Sequence, residues 1–172
     1  MNIIILGYMG SGKSIIGREL SLKVNKKFID LDSYIEEKEK DSISNIFQNK
    51  GDLYFRKQES KYLKEILNNN NDLVLSVGGG SPCYFNNLDL IISNNNISFY
   101  LKNSNIQLTS RLFNEKNKRP LISNISSEEK LLEFVSKHLF EREFFYNSAT
   151  HKIDCNDKSV PYVVDDIISI LK

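Results

Sequence analysis

Eight residues from Gly7 to Ser14, GYMGSGKS, fit the spacing G-x-x-x-x-G-K-[ST]. Glycines remove Cβ atoms where backbone N–H groups must converge on an anion, and a helix beginning near Lys13 adds the positive end of its dipole. Lys13 brings a full charge to the outer phosphates, and the Ser14 hydroxyl is small enough to ligate the Mg²⁺ that accompanies them. The segment Gly10, Ser11, Gly12, Lys13, Ser14 and Ile15 is therefore a candidate nucleoside triphosphate site.

Three other groups bear on what such a nucleotide would do. In FIDLDSYIEE (28–37), Asp30 and Asp32 lie two apart at the end of an apolar run, a spacing that turns both carboxylates to one side of a strand. One acid can hold the water shell of a metal while the other meets a substrate hydroxyl; alternatively, Asp32 is a helix N-cap. Gly78, Gly79 and Gly80 follow a third apolar run, where bare backbone can approach a ligand closely. With 18 lysines in the chain, the five arginines (Arg18, Arg56, Arg111, Arg119 and Arg142) are candidates for a planar fork that grips carboxylate or phosphate, with a surface charge as the alternative for any one of them. A match to the guanine-reading N-K-x-D at 49–52 is set aside, because it falls between two early helices and no D-x-x-G accompanies it.

These groups need a scaffold that brings strand ends together. Short apolar runs at 2–6, 27–30, 73–77, 97–101 and 150–154 alternate with helical periods at about 13–24, 32–48, 53–68, 84–93, 104–114, 126–144 and 160–171. That alternation predicts an α/β fold, a three-layer arrangement in which a five-stranded parallel sheet is flanked by helices. At 172 residues the chain is expected to form one domain, 1–172. The net charge of +1 argues against a broad nucleic-acid or anionic-membrane surface, and no apolar run reaches the ~20 residues of a bilayer span. With no signal-peptide pattern in the first 20 residues, the expected location is cytoplasmic, and the modest apolar fraction suggests a monomer. Cys83 and Cys155 read as reduced core thiols, and His138 and His151 as isolated residues with no metal to hold.

Taken in order, GYMGSGKS, DLD, FR followed by Glu59, GGG, RP and an arginine on the penultimate helix make the chain resemble the shikimate kinases over nearly its whole length. The resemblance implies a P-loop kinase fold of the nucleoside monophosphate kinase group, with an acceptor-binding subdomain at about 31–62 and a mobile lid at about 114–124. It implies transfer of the γ-phosphoryl group of ATP to the 3-hydroxyl of shikimate. By that resemblance Lys13 and Ser14 hold phosphate and Mg²⁺, Asp30 holds the metal through water, and Asp32 is the base. Arg56 and Arg142 grip the shikimate carboxylate, Gly78 to Gly80 meet the ring hydroxyls, and Phe47 and Phe55 form an apolar wall. Arg119 is the lid arginine that reaches the phosphates, and Arg111 lies along the adenine. Ile15 stands where the family commonly has threonine, and CNDKSV (155–160) lacks the arginine or proline of many relatives.

Overall fold

The apolar run NIIIL shows why a parallel sheet forms. As strand β1 (Asn2–Leu6) all five residues are buried, and its period of two divides them between two cores. Ile3 and Ile5 join Ile16, Leu20, Val163, Val164 and Ile167 on one face. Ile4 and Leu6 join Leu63, Leu108, Leu112, Val135 and Tyr146 on the other. A strand with water on either face could not carry this sequence.

The computed structural model describes residues 1–93, 95–115 and 121–172. Among them β1, β2 (Lys27–Asp30), β3 (Leu73–Ser76), β4 (Asn96–Lys102) and β5 (His151–Asp154) form one parallel sheet in the order β2-β3-β1-β4-β5. Helices α1 (Lys13–Lys23) and α8 (Val160–Leu171) cover the face holding Ile3 and Ile5. Helices α4 (Asp52–Asn69), α6 (Asn105–Glu115) and α7 (Glu128–Asn147) cover the other. The expected three-layer, five-stranded arrangement is borne out. Because all strands point the same way, their carboxyl ends meet along one edge, where open α/β sheets bind ligands.

Two elements differ from the sequence expectation. The single helix expected at 32–48 is broken into α2 (Leu31–Glu39) and α3 (Ile43–Lys50). Lys40 takes a left-handed conformation at φ 54° and Ser42 Oγ accepts from the Asn45 N–H, so the first helix is stopped and the second capped within three residues. The helix expected at 84–93 is only α5 (Asn87–Ile91), preceded by a 3₁₀ turn at Ser81–Cys83 that Pro82 initiates. No helix among the described residues is long and apolar enough to cross a membrane.

Candidate active site

Beyond β1 the chain turns through the glycine loop into α1. Gly12 immediately precedes the helix at φ 90°, a left-handed conformation that a side chain would strain. The Tyr8 carbonyl accepts from the Ser11 N–H at 3.2 Å and from Lys13 Nζ at 2.9 Å, which holds the lysine along the loop. A cavity of about 430 Å³ opens here, walled by Met9 to Ile16, Asp30, Asp32, Gly79 and Arg111. The Arg111 Nη1 also donates to the Gly10 carbonyl at 3.3 Å. Cys155, Lys158, Val160 and Val163 are also on the wall, so the segment after β5 that lacked a recognisable adenine contact faces this cavity. Lys158 and Val160 carried no sequence signal of their own.

The two acids divide their work differently from the strand geometry expected. Only Asp30 belongs to β2; α2 begins at Leu31, and the N-cap is Asp30 rather than Asp32. Asp30 Oδ1 accepts from the Asp32 and Ser33 N–H groups at 3.1 and 3.2 Å, while its Oδ2 accepts from Ser14 Oγ at 2.5 Å. Asp32, in the first helical turn, is left with no capping duty. Burial and the neighbouring carboxylates of Asp30 and Glu59 push its carboxyl up to about 6, against the pull of Lys13 and Arg56. Such a group is ionised at neutral pH yet still basic enough to take a proton.

Ser14 and Asp30 present hard oxygens side by side on the cavity wall, a donor set that suits Mg²⁺. Among the described residues no group of three His, Cys, Asp or Glu is placed to hold a metal ion.

On the acceptor side the glycines are crowded from beneath. A methyl group on Gly78 would lie 2.8 Å from Glu59 Oε1 and 2.9 Å from both Asp32 Oδ1 and Ser81 Oγ; one on Gly80 would lie 2.8 Å from Arg56 Nη1. Arg56 is 8% exposed and Glu59 not at all. Arg56 Nη1 donates to Glu59 Oε2 at 2.9 Å, Glu59 Oε1 accepts from Ser81 Oγ, and the guanidinium stands 4.2 Å from the Tyr84 ring centroid and 5.0 Å from that of Phe55. Phe47 and Phe55 are in contact, with centroids 4.6 Å apart. Arg142, on α7, exerts its field on the Tyr146 side chain, whose hydroxyl donates to the Gly79 carbonyl at 2.5 Å. Gly78, Gly80, Arg56 and Arg142 are not on the wall of this cavity; Gly78, Gly80 and Arg56 gather next to it, with Asp32 common to both regions, and the fields of Arg142 and Arg56 both reach Cys83.

Glu59 entered the sequence reading only as part of a motif. Its position three residues after Arg56 on α4 is the signal that could have marked it as the guanidinium's partner. Cys83, expected in the core, is only half-buried, whereas Cys155 is buried. Arg119 lies outside the described residues, as does the centre of the expected lid.

Gly78→Ala should lower kcat/KM by about tenfold or more, because the methyl displaces Asp32 and Glu59 together. Steady-state kinetics with both substrates varied would check it; parental constants would mean the loop yields without disturbing either acid.

The family model for shikimate kinase matches residues 9–172. The chain belongs to the shikimate kinase family. A shikimate kinase of Flavobacterium johnsoniae is 44% identical over 169 residues, covering 98% of each chain, and one of Sulfurihydrogenibium is 36% identical over 171 residues, covering 99% of this chain and 98% of that one. The crystal structure of shikimate kinase from Bacteroides thetaiotaomicron superposes with a TM-score of 0.89 at 28% identity, covering 99% of this chain and 98% of that one. The enzyme from Acinetobacter baumannii, solved in complex with shikimate, gives 0.86 at 29% identity, covering 99% and 92%. A deoxyadenosine kinase from M. mycoides shares the fold alone, with a TM-score of 0.58 at 19% identity. Family membership makes the chain a phosphotransferase.

Proposed function

We infer that the chain transfers the γ-phosphoryl group of ATP to the 3-hydroxyl of shikimate, giving shikimate 3-phosphate and ADP in aromatic amino-acid synthesis. The observation that carries this reading is the place of Asp32, which faces the nucleotide cavity and also lies against Gly78, next to the buried Arg56–Glu59 pair. A carboxylate between a phosphate site and a cationic acceptor site suits a base for a hydroxyl.

In this reading the glycine loop and Lys13 cradle the β- and γ-phosphates, and Arg111 lies along the adenine. Ser14 and, through water, Asp30 hold Mg²⁺, which neutralises charge on the transferring phosphoryl group when bound. Arg56 and Arg142 grip the carboxylate, and the backbone of Gly78 to Gly80 meets the ring hydroxyls. Asp32 orients the 3-hydroxyl and takes its proton. Residues 31–62 act as the acceptor subdomain, with 114–124 as a lid whose Arg119 reaches the phosphates and which keeps water from competing for the phosphoryl group.

The test is ADP release from Mg-ATP with shikimate, gluconate, AMP or no acceptor, each repeated with EDTA. Turnover confined to shikimate and metal is the expected result. Turnover on another acceptor would reassign the pocket, and ATP binding without turnover on any would make the chain a regulatory binder.

If Asp32 is the base, kcat/KM for shikimate should be level near neutrality and fall about tenfold per pH unit below about 6, where its carboxyl gains a proton. A profile level down to about pH 4, the ordinary carboxyl range, would assign the proton transfer elsewhere.

A further inference from the structure

Tyr8 is part of the glycine loop, yet its side chain is 1% exposed in the core and is not on the wall of the cavity. Its hydroxyl lies 2.8 Å from His138 Nδ1, the two rings meet edge to face with centroids 5.5 Å apart, and Phe134 packs against the imidazole at 5.2 Å. His138 precedes Arg142 by one turn of α7, so the two side chains share a helix face. The electrostatic field of Arg142 acts on both Tyr8 and His138. Burial, with Arg142 second, pushes the imidazole down to about 4, leaving it neutral at ordinary pH and able to accept the Tyr8 proton at Nδ1.

The main chain of the same tyrosine faces the chemistry, since its carbonyl accepts from Lys13 Nζ. The adjoining Met9 N–H group sits against Gly79, where an added methyl would be 3.2 Å away. A single residue thus touches the phosphate-binding lysine through its backbone and the helix carrying Arg142 through its side chain.

We propose that Tyr8 and His138 form a positioning pair, whose hydrogen bond sets α7, and with it Arg142, against the phosphate loop. The seat of the acceptor carboxylate then depends on the loop that holds ATP. The pair touches neither substrate; it acts through Arg142, and so it rests on the reading of Arg142 as a carboxylate contact.

Four variants test it: Tyr8→Phe, which removes only the hydroxyl; His138→Leu, which removes the acceptor; His138→Asn, which restores a polar atom where Nδ1 stood; and Arg142→Ala. Shikimate KM at saturating ATP, the Kd for ATP alone and thermal melting are read for each, and for the Tyr8→Phe, His138→Leu double variant. Tyr8→Phe and His138→Leu should each raise shikimate KM by about tenfold with ATP affinity within about twofold, and the double variant should be no worse than either single. His138→Asn should recover most of the loss. A purely structural role would instead lower the melting temperature and affect both substrates together. Unchanged KM in Tyr8→Phe, additive losses in the double variant, or no recovery in His138→Asn would overturn the proposal. Should His138→Leu fail to fold, Tyr8→Phe alone decides. If Arg142→Ala raises KM while the pair's variants do not, the pair falls and the carboxylate assignment stands; if Arg142→Ala leaves KM unchanged, both fall.

Discussion

Asp32→Asn should cut kcat by about 10² or more, with ATP affinity nearly unchanged, because the amide keeps the shape of the side chain but cannot take the hydroxyl proton. The same substitution should raise stability at neutral pH. A carboxyl whose affinity for protons is raised on folding, here from 3.8 to about 6, costs the folded state progressively as pH rises from the unfolded value to the folded one, and the full cost remains above that. Asparagine carries no charge to desolvate, so the variant should gain at most about 3 kcal/mol at pH 7 and nothing below the unfolded pKa. Thermal melts at neutral and acidic pH, run beside rapid-quench measurement of the phosphoryl-transfer step, separate the two effects. A slower, more stable enzyme identifies a residue kept for chemistry against the interest of the fold. A near-normal kcat would reduce Asp32 to a positioning group, and an unchanged melting temperature would mean that the folded site gives its charge adequate partners.

What was legible in the sequence was what depends on neighbours along the chain. NIIIL could be read as a doubly buried strand because no polar residue interrupts it, and the glycine loop because its chemistry needs fixed spacing. No Gly or Pro marks the break between α2 and α3, which is why one helix was expected there, although the polar run at 36–42 and Ser42 as a cap were both signals of it. At the site, the scarcity of arginine drew attention to Arg56, Arg111 and Arg142, yet equally to Arg18, which is exposed and stands near the Phe28 ring away from the cavity. Only tertiary contact separates these cases. Glu59, buried against Arg56 from the same helix, and Tyr8, joined to a histidine 130 residues away, act through partners that periodicity cannot supply. The raised Asp32 carboxyl is of the same kind, for it is produced by burial and by three segments meeting at one point.

Arg56→Lys should raise the KM for shikimate by about tenfold or more and leave ATP affinity nearly intact. The charge survives the exchange, so a simple electrostatic role predicts little change; the large effect follows from geometry. The guanidinium is held by Glu59 on one side and flanked by the Tyr84 and Phe55 rings, and it closes under Gly80. That setting fixes the plane of the fork and leaves it one orientation in which to meet a carboxylate at two points. A lysine ammonium can pair with Glu59 or reach the ligand, but it has no second fixed donor to do both. Its tetrahedral head also loses the stacking that keeps Arg56 rigid. The loss should therefore appear in shikimate binding and kcat/KM far more than in any property of the nucleotide site. Arg56→Ala would be the less informative variant, because it abandons the Glu59 charge in a fully buried position and should destabilise the fold by about 3–5 kcal/mol before any binding is measured. Lysine keeps that charge compensated, so a rise in KM without a fall in melting temperature isolates the two-point grip. Equal KM values for lysine and arginine enzymes would remove Arg56 from the substrate site and leave it as the structural partner of Glu59.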